Sequence, residues 1–271
     1  MTTSATVHTG ELELWVERRG EGPDVLLIAG LGDPAEAWQP QLDGLADRYR
    51  VTAFDNRGVG RSPLPDEPLS AATMADDAAA VLRALRVPSA HVAGFSMGSA
   101  VAQELALRHP ALVRSLVLVS TYARPDDLFR AQLRFWRWLA ETAPSERAFM
   151  EAFFTWVYTP RAHADGTVEQ IVEEALAYPH QQSLAGFQAQ VDACLAHDTA
   201  DRLSQIAVPT LVLAGEFDTI LPPRFGRSVA AEIPDAQLEI MAREAHQPFQ
   251  EIPDEFNARV DAFWREVDDR I

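Results

Sequence analysis

The stretch 92-VAGFSMGSA-100 places Ser96, a candidate nucleophile, between Gly94 and Gly98. The Gly-x-Ser-x-Gly pattern is short enough to occur by chance, so its surroundings decide what it indicates. The residues before Gly94 are typical of a buried strand, and 97-MGSAVAQELALRHP-110 contains good helix formers and ends at a proline. We therefore predict that Ser96 lies on a sharp strand-to-helix turn, where small neighbours relieve backbone crowding and expose the hydroxyl at a sheet edge.

Apolar runs like the one before Ser96 recur along the chain and alternate with helix-like stretches, which predicts an α/β fold with a mostly parallel, doubly wound sheet. The predicted strands are 25–29, 50–54, 90–95, 114–120, 209–215 and 236–241. The predicted helices are 35–47, 70–85, 97–109, 223–232 and 254–267. Apolar and polar residues alternate over 11–22, which predicts a solvent-facing antiparallel strand at the sheet edge.

The interval 122–205 contains no strand-like run, and its prolines divide it into short helices. Nine of the chain's 23 aromatic residues fall within 129–158. We predict a helical cap over 122–205, inserted between two strands of a core domain formed by 1–121 and 206–271. Most of its aromatic side chains are expected to form the cap's own core. The candidates for substrate contact are Trp136, Phe153 and Trp156.

A serine hydroxyl becomes nucleophilic when a base accepts its proton and a third group orients that base. His246 follows the last predicted strand, and Asp218 follows 209-PTLVLAG-215, so both are expected at the same sheet edge as Ser96. Serine, aspartate and histidine in that chain order are typical of a nucleophile on this kind of turn. Glu216 is the alternative acid, and it is disfavoured because its position nearer the strand should point it elsewhere.

Two further motifs accompany the serine turn: 55-DNRGVGRS-62 is similar to the D-x-R-G-x-G-x-S loop of the α/β-hydrolase fold superfamily, and 251-EIPDEFN-257 resembles the segment after its catalytic histidine. Over nearly its whole length the chain resembles the serine-triad branch of this superfamily. Loop 55–62 is expected to buttress the site without taking part in chemistry. The stretch 29-AGLGD-33 has Ala29 where the family usually has histidine, which is nearer to 3-oxoadipate enol-lactonase-like proteins and related esterases. By position, the resemblance implies the backbone amides of Leu31 and Met97 as the oxyanion donors.

The resemblance implies a serine hydrolase that cleaves a carboxylic ester or lactone through an acyl-enzyme intermediate, with no metal and no organic cofactor. A cofactor-free perhydrolase, a carbon–carbon bond hydrolase and a low-turnover ligand-sensing protein remain open as alternatives on the same scaffold. The aromatic-rich insertion favours a small-molecule substrate with an apolar acyl part. Five arginines of the insertion could meet a substrate carboxylate, although a solvated helix face is the favoured interpretation. They are Arg124, Arg130, Arg134, Arg137 and Arg161.

The formal net charge of −17 disfavours binding to nucleic acid or to anionic membrane surfaces. The first residues show no signal-peptide pattern, and no window approaches the roughly 20 apolar residues that a membrane helix needs. One cysteine, Cys194, cannot form an internal disulfide. We therefore expect a cytoplasmic protein, and no pattern indicates its oligomeric state.

Overall fold

A computed structural model describes residues 2–10 and 12–270. Three residues lie outside this description: Met1, Glu11 and Ile271. All three fall within the predicted core ranges, and Glu11 also falls within the predicted strand 11–22. The strands are β1 (Thr2–His8), β2 (Glu13–Arg19), β3 (Asp24–Ile28), β4 (Arg50–Phe54), β5 (Ala90–Phe95), β6 (Val113–Val119), β7 (Thr210–Gly215) and β8 (Gln237–Met241). The first helices are α1 (Gln39–Gly44), α2 (Ala71–Ala84) and α3 (Met97–Arg108). The later ones are α4 (Asp127–Thr142), α5 (Glu146–Val157), α6 (Pro160–Ala164), α7 (Thr167–Ala177), α8 (Leu184–Ala196), α9 (Pro223–Glu232), α10 (Pro248–Glu251) and α11 (Pro253–Asp268).

The strands form one sheet in the order β1-β2-β4-β3-β5-β6-β7-β8. The pairs β1–β2 and β2–β4 are antiparallel, and all the other pairs are parallel. Every residue of β5 and β7 is buried, which explains why these strands have continuous apolar sequences and not alternating ones. The predicted α/β fold with a mostly parallel sheet is confirmed.

The predicted position of the sheet edge is wrong. The segment within 11–22 forms β2, which is antiparallel as expected, but β1 pairs with it residue by residue and forms the edge instead. Among residues 3–8 only Val7 is buried, so backbone hydrogen bonds and not apolar burial hold β1 in place. An edge strand of this kind has no apolar periodicity, and the sequence pattern therefore gave no signal for it.

The sheet separates two apolar layers, because alternate side chains of each strand point to opposite faces. In β3, Leu26 and Ile28 belong to the layer that α2 and α3 cover, whereas Val25 and Leu27 belong to the other. The second layer is closed by α1, α10 and α11, where Trp38 stacks on Phe249 with ring centroids 4.1 Å apart. The two layers fix the strands, so the loops at the strand ends have stable anchors.

Five helices, α4 to α8, lie between β6 and β7, as the prolines predict. Pro144 separates α4 from α5, Pro160 begins α6, and Pro179 separates α7 from α8. Their buried faces join the layer that α2 and α3 cover, through residues such as Phe129 and Val191. None of the helices in the described ranges has the length and apolarity needed to cross a membrane.

Candidate active site

Ser96 lies between the end of β5 and the start of α3, on the predicted turn. Its backbone has φ 51° and ψ −115°, a conformation that L residues adopt only under strain. A Cβ at Gly94 would lie 2.3 Å from the carbonyl oxygen of Gly98, and a Cβ at Gly98 would lie 2.2 Å from that of Ile28. Both glycines are therefore required for the close approach of strand, turn and helix, and the predicted turn is confirmed.

The structure brings Ser96, His246 and Asp218 together at the carboxyl ends of β5, β8 and β7. His246 Nε2 lies 3.1 Å from Ser96 Oγ, and His246 Nδ1 lies 2.8 Å from Asp218 Oδ2. All three side chains are buried. With Asp218 ionised, Nδ1 donates to the carboxylate and leaves Nε2 free to accept the serine proton, which is the arrangement of an activated hydroxyl.

Asp218 is held as an anion by its surroundings. Its Oδ1 accepts hydrogen bonds from the amides of Ile220 at 2.8 Å and Leu221 at 2.9 Å. Burial by itself would raise the pKa of Asp218, but the His246 charge and these hydrogen bonds hold that pKa below its usual value. Glu216, the alternative acid, instead accepts a hydrogen bond from the Arg243 amide at 2.8 Å.

The loop that carries His246 is fixed from two sides. Its amide donates to the carbonyl of Val157 in α5 at 3.0 Å, and its carbonyl accepts from Ser120 Oγ at 2.8 Å. The edge of the Phe95 ring packs against the imidazole, with centroids 4.9 Å apart. Sequence reasoning missed Ser120, which has φ 47°. Its position directly after β6, at the same sheet edge, is the signal that could have revealed it.

Of the two predicted oxyanion donors, Met97 directly follows Ser96, and Leu31 lines the same cavity as Ser96. Met97 is the first residue of α3, so its amide belongs to the helix N-terminus, where N–H groups have no partner within the helix. Across residues 2–10 and 12–270, neither the Met97 amide nor the Leu31 amide takes part in a hydrogen bond. The loop of Leu31 is held without a histidine, because Asn56 Nδ2 donates to the Ala29 carbonyl at 3.1 Å and the Gly32 amide donates to Gln190 Oε1 at 3.0 Å.

Loop 55–62 supports its neighbours by hydrogen bonds. The Asp55 carboxylate accepts from the Ala35 amide at 2.7 Å and from the Arg61 amide at 2.8 Å. Arg57 forms an ion pair with Asp77 of α2. These contacts join the loop after β4 to the loop after β3, as expected of a buttress.

Two adjoining cavities lie above the serine. The smaller one, about 30 Å³, is lined by Ser96 and His246, and the larger one has a volume of about 730 Å³. Four residues line both of them. They are Leu31, Asp33, Phe153 and Phe154. Of the predicted substrate contacts, Trp136 lines the smaller cavity and Phe153 lines both. Trp156 lines neither, and it packs near Phe135 with ring centroids 6.5 Å apart.

The five arginines singled out in the insertion are not among the residues that line these cavities. Arg124 pairs with Asp198, and Arg161 pairs with Glu244 and Glu251. Within the described part of the chain, no arginine lines either cavity. The interpretation of these arginines as a solvated, ion-paired surface therefore fits their positions.

Asp33 is a site residue that sequence reasoning did not identify. Its Oδ2 accepts a hydrogen bond from Gln247 Nε2 at 3.3 Å, and Gln247 directly follows His246 in the chain. Burial raises the pKa of Asp33 from 3.8 to about 7, although the His246 charge acts in the opposite direction. A carboxyl with such a pKa beside a nucleophile is typical of functional sites. The quoted motif 29-AGLGD-33 contained the signal, a carboxylate directly after the loop of Leu31.

Cys194 also lines the smaller cavity, but burial raises the pKa of its thiol to about 12, so it stays protonated and unreactive. Among the described residues, no group of three or more His, Cys, Asp or Glu side chains is arranged to hold a metal ion.

A nucleophile on a strand-to-helix turn, with its acid and base at later strand ends of a mostly parallel sheet, defines a class of hydrolytic fold. A family model described as the alpha/beta hydrolase fold matches residues 23–251. The chain belongs to the α/β-hydrolase fold family.

The chain is also similar to individual proteins. The chain is 35% identical to a protein of Azorhizobium caulinodans named "Putative carbamate hydrolase RutD", over 96% of this chain and 98% of that one. A thermophilic esterase from Thermogutta terrifontis matches with a TM-score of 0.84 and 27% identity, over 98% of this chain and 99% of that one. The enol-lactonase from Burkholderia xenovorans LB400 matches with a TM-score of 0.87 and 25% identity, over 97% of this chain and 100% of that one. These relatives support a hydrolytic role.

Proposed function

We propose that this protein is a serine hydrolase that cleaves a carboxylic ester or a lactone. The observation that carries the proposal is the chain of hydrogen bonds from Ser96 Oγ to His246 Nε2, at 3.1 Å, and from His246 Nδ1 to Asp218 Oδ2, at 2.8 Å. In this role Ser96 is the nucleophile, His246 the general base and Asp218 the group that orients the imidazole.

The reaction has two similar halves, acylation of Ser96 and hydrolysis of the acyl-enzyme. Ser96 Oγ attacks the carbonyl carbon while His246 Nε2 accepts the hydroxyl proton, and the oxyanion that forms is placed against the amides of Leu31 and Met97. His246 then donates the proton to the leaving oxygen, and an acyl-enzyme remains. Water, deprotonated by His246, attacks the acyl carbon and releases the acid and Ser96. No step calls for a metal ion or an organic cofactor.

We assign helices α4 to α8 to a cap over 122–205, placed on the core of 1–121 and 206–271. Support for this assignment comes from contacts with the loop that carries His246. The Val157 carbonyl accepts from the His246 amide at 3.0 Å, and Tyr158 Oη donates to Gln250 Oε1 at 2.7 Å. The aromatic side chains that line the larger cavity favour a small-molecule substrate with an apolar acyl part.

Carbamate hydrolysis is the second candidate, and the 35% identity to the Azorhizobium protein over 96% of this chain favours it. A carbamate carbonyl can be attacked by Ser96 in the same manner, and the proton transfers through His246 are unchanged. Perhydrolysis and carbon–carbon bond cleavage use the same triad. A ligand-sensing protein would bind such a compound and release little product.

The test is a turnover assay on p-nitrophenyl esters from acetate to octanoate, with p-nitrophenyl N-methylcarbamate beside them. Ser96→Ala is expected to lower kcat by about a million-fold, as loss of the nucleophile does in another serine hydrolase. The matched control is Ser228→Ala, an exposed serine of α9 that lines neither cavity. Turnover that persists in Ser96→Ala contradicts the proposal. Multiple turnovers of the carbamate alone would establish the second candidate instead.

A further inference from the structure

We propose that the site selects esters that carry an ammonium group a few atoms from the scissile bond, and that Asp33 sets this preference. The inference rests on the proposed hydrolase function, since it names the substrate class of the same site. It makes Asp33 a specificity-determining residue, with Ser96 and His246 performing the reaction.

Asp33 belongs to the walls of two cavities. It lines both the small chamber over Ser96 and the large cavity beside it. In the described part of the chain it is the one carboxylate that lines both. Its carboxyl accepts hydrogen bonds from two neutral donors, the Gln247 side-chain amide at 3.3 Å and the Gly30 backbone amide, and none of the described arginines forms an ion pair with it. Its charge is therefore directed to the occupant of the cavity.

The larger cavity reinforces the same sign of charge. Its lining includes Glu36, Glu146 and Glu174, of which Glu36 forms an ion pair with Arg61. The chain has no lysine, and within the described ranges none of its arginines lines the cavity. A substrate carboxylate would meet Asp33, Glu146 and Glu174, which carry charge of the same sign, whereas an ammonium group would meet opposite charge.

The walls at the junction suit a cation as well. Phe153 and Phe154 line both cavities, and Phe149 and Tyr158 line the larger one. Aromatic faces attract alkylammonium groups, and they do so more strongly where water is displaced. An apolar wall with one carboxylate therefore compensates the loss of water around an ammonium group and gives no such compensation to a carboxylate.

The charge on Asp33 depends on pH. The ionisable groups that face it are His246, the Tyr158 hydroxyl and, in the lining of the larger cavity, Glu36. Because the pKa of Asp33 is about 7, its carboxyl is mostly neutral at pH 6 and mostly ionised at pH 8. Preference for a cation should therefore increase over this interval.

The experiment uses three acetate esters of similar size. The cationic ester is 2-(trimethylammonio)ethyl acetate. The neutral ester of the same shape is 3,3-dimethylbutyl acetate, and the anionic ester is 4-acetoxybutanoate. At pH 8 the wild type is expected to show a cation-to-neutral ratio of kcat/KM of about ten or more, and the anion should be the poorest substrate. Asp33→Asn should lower the cation-to-neutral ratio of kcat/KM about tenfold and raise the anion-to-neutral ratio. The matched control is Asp66→Asn, an exposed aspartate that lines neither cavity and should leave every ratio unchanged.

Each outcome decides the question. A wild-type ratio near one, or a ratio that Asp33→Asn leaves unchanged, overturns the inference while the hydrolase function stands. A ratio that does not rise between pH 6 and pH 8 also counts against Asp33. If the wild type turns over none of the three esters nor the p-nitrophenyl series, the proposed function itself fails and the inference falls with it.

Discussion

The loops at the strand ends and the helices α4 to α8 contribute to the same cavities in different ways. The strand-end loops hold their functional groups by backbone hydrogen bonds, as in the amides of Ile220 and Leu221 that bind Asp218 at 2.8 and 2.9 Å. The helices contribute mainly side chains such as Phe153, placed by apolar packing. Directional hydrogen bonds fix an atom more closely than apolar contacts do, so the chemistry resides on the loops and the shape of the cavity on the helices.

This difference predicts where the molecule tolerates change. Around Ser96, one added carbon at Gly98 would lie 2.2 Å from a backbone oxygen, and backbone cannot move aside cheaply. The aromatic walls consist of side chains, and hydrophobic replacements of similar volume in such places usually cost less than about 1.5 kcal/mol. Substitution of Ser96, Asp218 or His246 should therefore remove turnover, whereas substitution of the cavity-lining side chains of the helices should change which substrate is turned over.

Among substitutions that compare the loops with the helices, the largest effect is expected from Asp218. Asp218→Asn keeps the shape of the side chain but removes the charge that holds the proton on His246 Nδ1, so kcat for p-nitrophenyl acetate should fall about ten-thousand-fold. The Ile220 and Leu221 amides can still bind the remaining side-chain oxygen, so the fold should persist. Steady-state kinetics and a circular dichroism spectrum measure the two quantities.

Glu216→Gln is the matched control for this prediction. Glu216 lies two residues earlier in the same loop, and its carboxylate binds the Arg243 amide at 2.8 Å and not His246. Its kcat should remain within about threefold of the wild type, a difference of under 1 kcal/mol. A large loss of kcat in Glu216→Gln with a small one in Asp218→Asn would reverse the roles of the two acids.

The roles of the strand-end loops and of the helices could be predicted from the sequence only in part, for physical reasons. Buried parallel strands have continuous apolar sequences, so β5 and β7 were recognisable, and residues directly after them share one sheet edge. Ser96, Asp218 and His246 could therefore be predicted to meet from their positions after strands. The edge strand β1 could not be predicted, because backbone pairing holds it and only Val7 among residues 3–8 is buried.

The walls of the cavities were less accessible to sequence reasoning. Phe153 and Trp156 lie three residues apart in the same helix, yet Phe153 lines both cavities and Trp156 lines neither. Their chemistry is alike, and only the packing of α5 on its neighbours distinguishes them. The sequence 29-AGLGD-33 indicates a carboxylate after the loop of Leu31, but the burial of Asp33 and its contact with Gln247 are tertiary features that no local pattern encodes.

A smaller effect, on selectivity, is expected from the helices. Phe153→Ala enlarges the junction of the two cavities, and each buried methylene contributes about 0.8 kcal/mol, so the octanoate-to-acetate ratio of kcat/KM should change by about tenfold. The kcat for acetate should change much less, because the triad is untouched. Trp156→Ala, in the same helix but outside both linings, is the control and should leave the ratio as it is. Equal shifts in the two variants would mean that packing of the helix as a whole, and not the cavity wall, sets the preference.

The smallest effect concerns the stability cost of keeping Asp33 at the junction. Its pKa is raised from 3.8 to about 7 in the folded protein, so the folded state binds more protons than the unfolded chain between these values. The contribution of Asp33 to the free energy of unfolding is therefore complete in acid and is lost as pH rises through 7. Asp33→Asn has no proton to lose, and urea unfolding should find it more stable than the wild type at pH 8 by on the order of 1 kcal/mol.

This advantage of Asp33→Asn should shrink as the pH falls toward 5, because the wild-type carboxyl then becomes neutral in the folded state. Asp66→Asn, with its exposed side chain, should show the same difference from the wild type at both pH values. A variant Asp33→Asn that is less stable than the wild type at pH 8 would mean that the carboxylate is stabilised by its surroundings. If Asp33→Asn is more stable than the wild type and also loses the preference for the cationic ester, Asp33 contributes to substrate selection at a cost in stability. Residues of functional sites often do so.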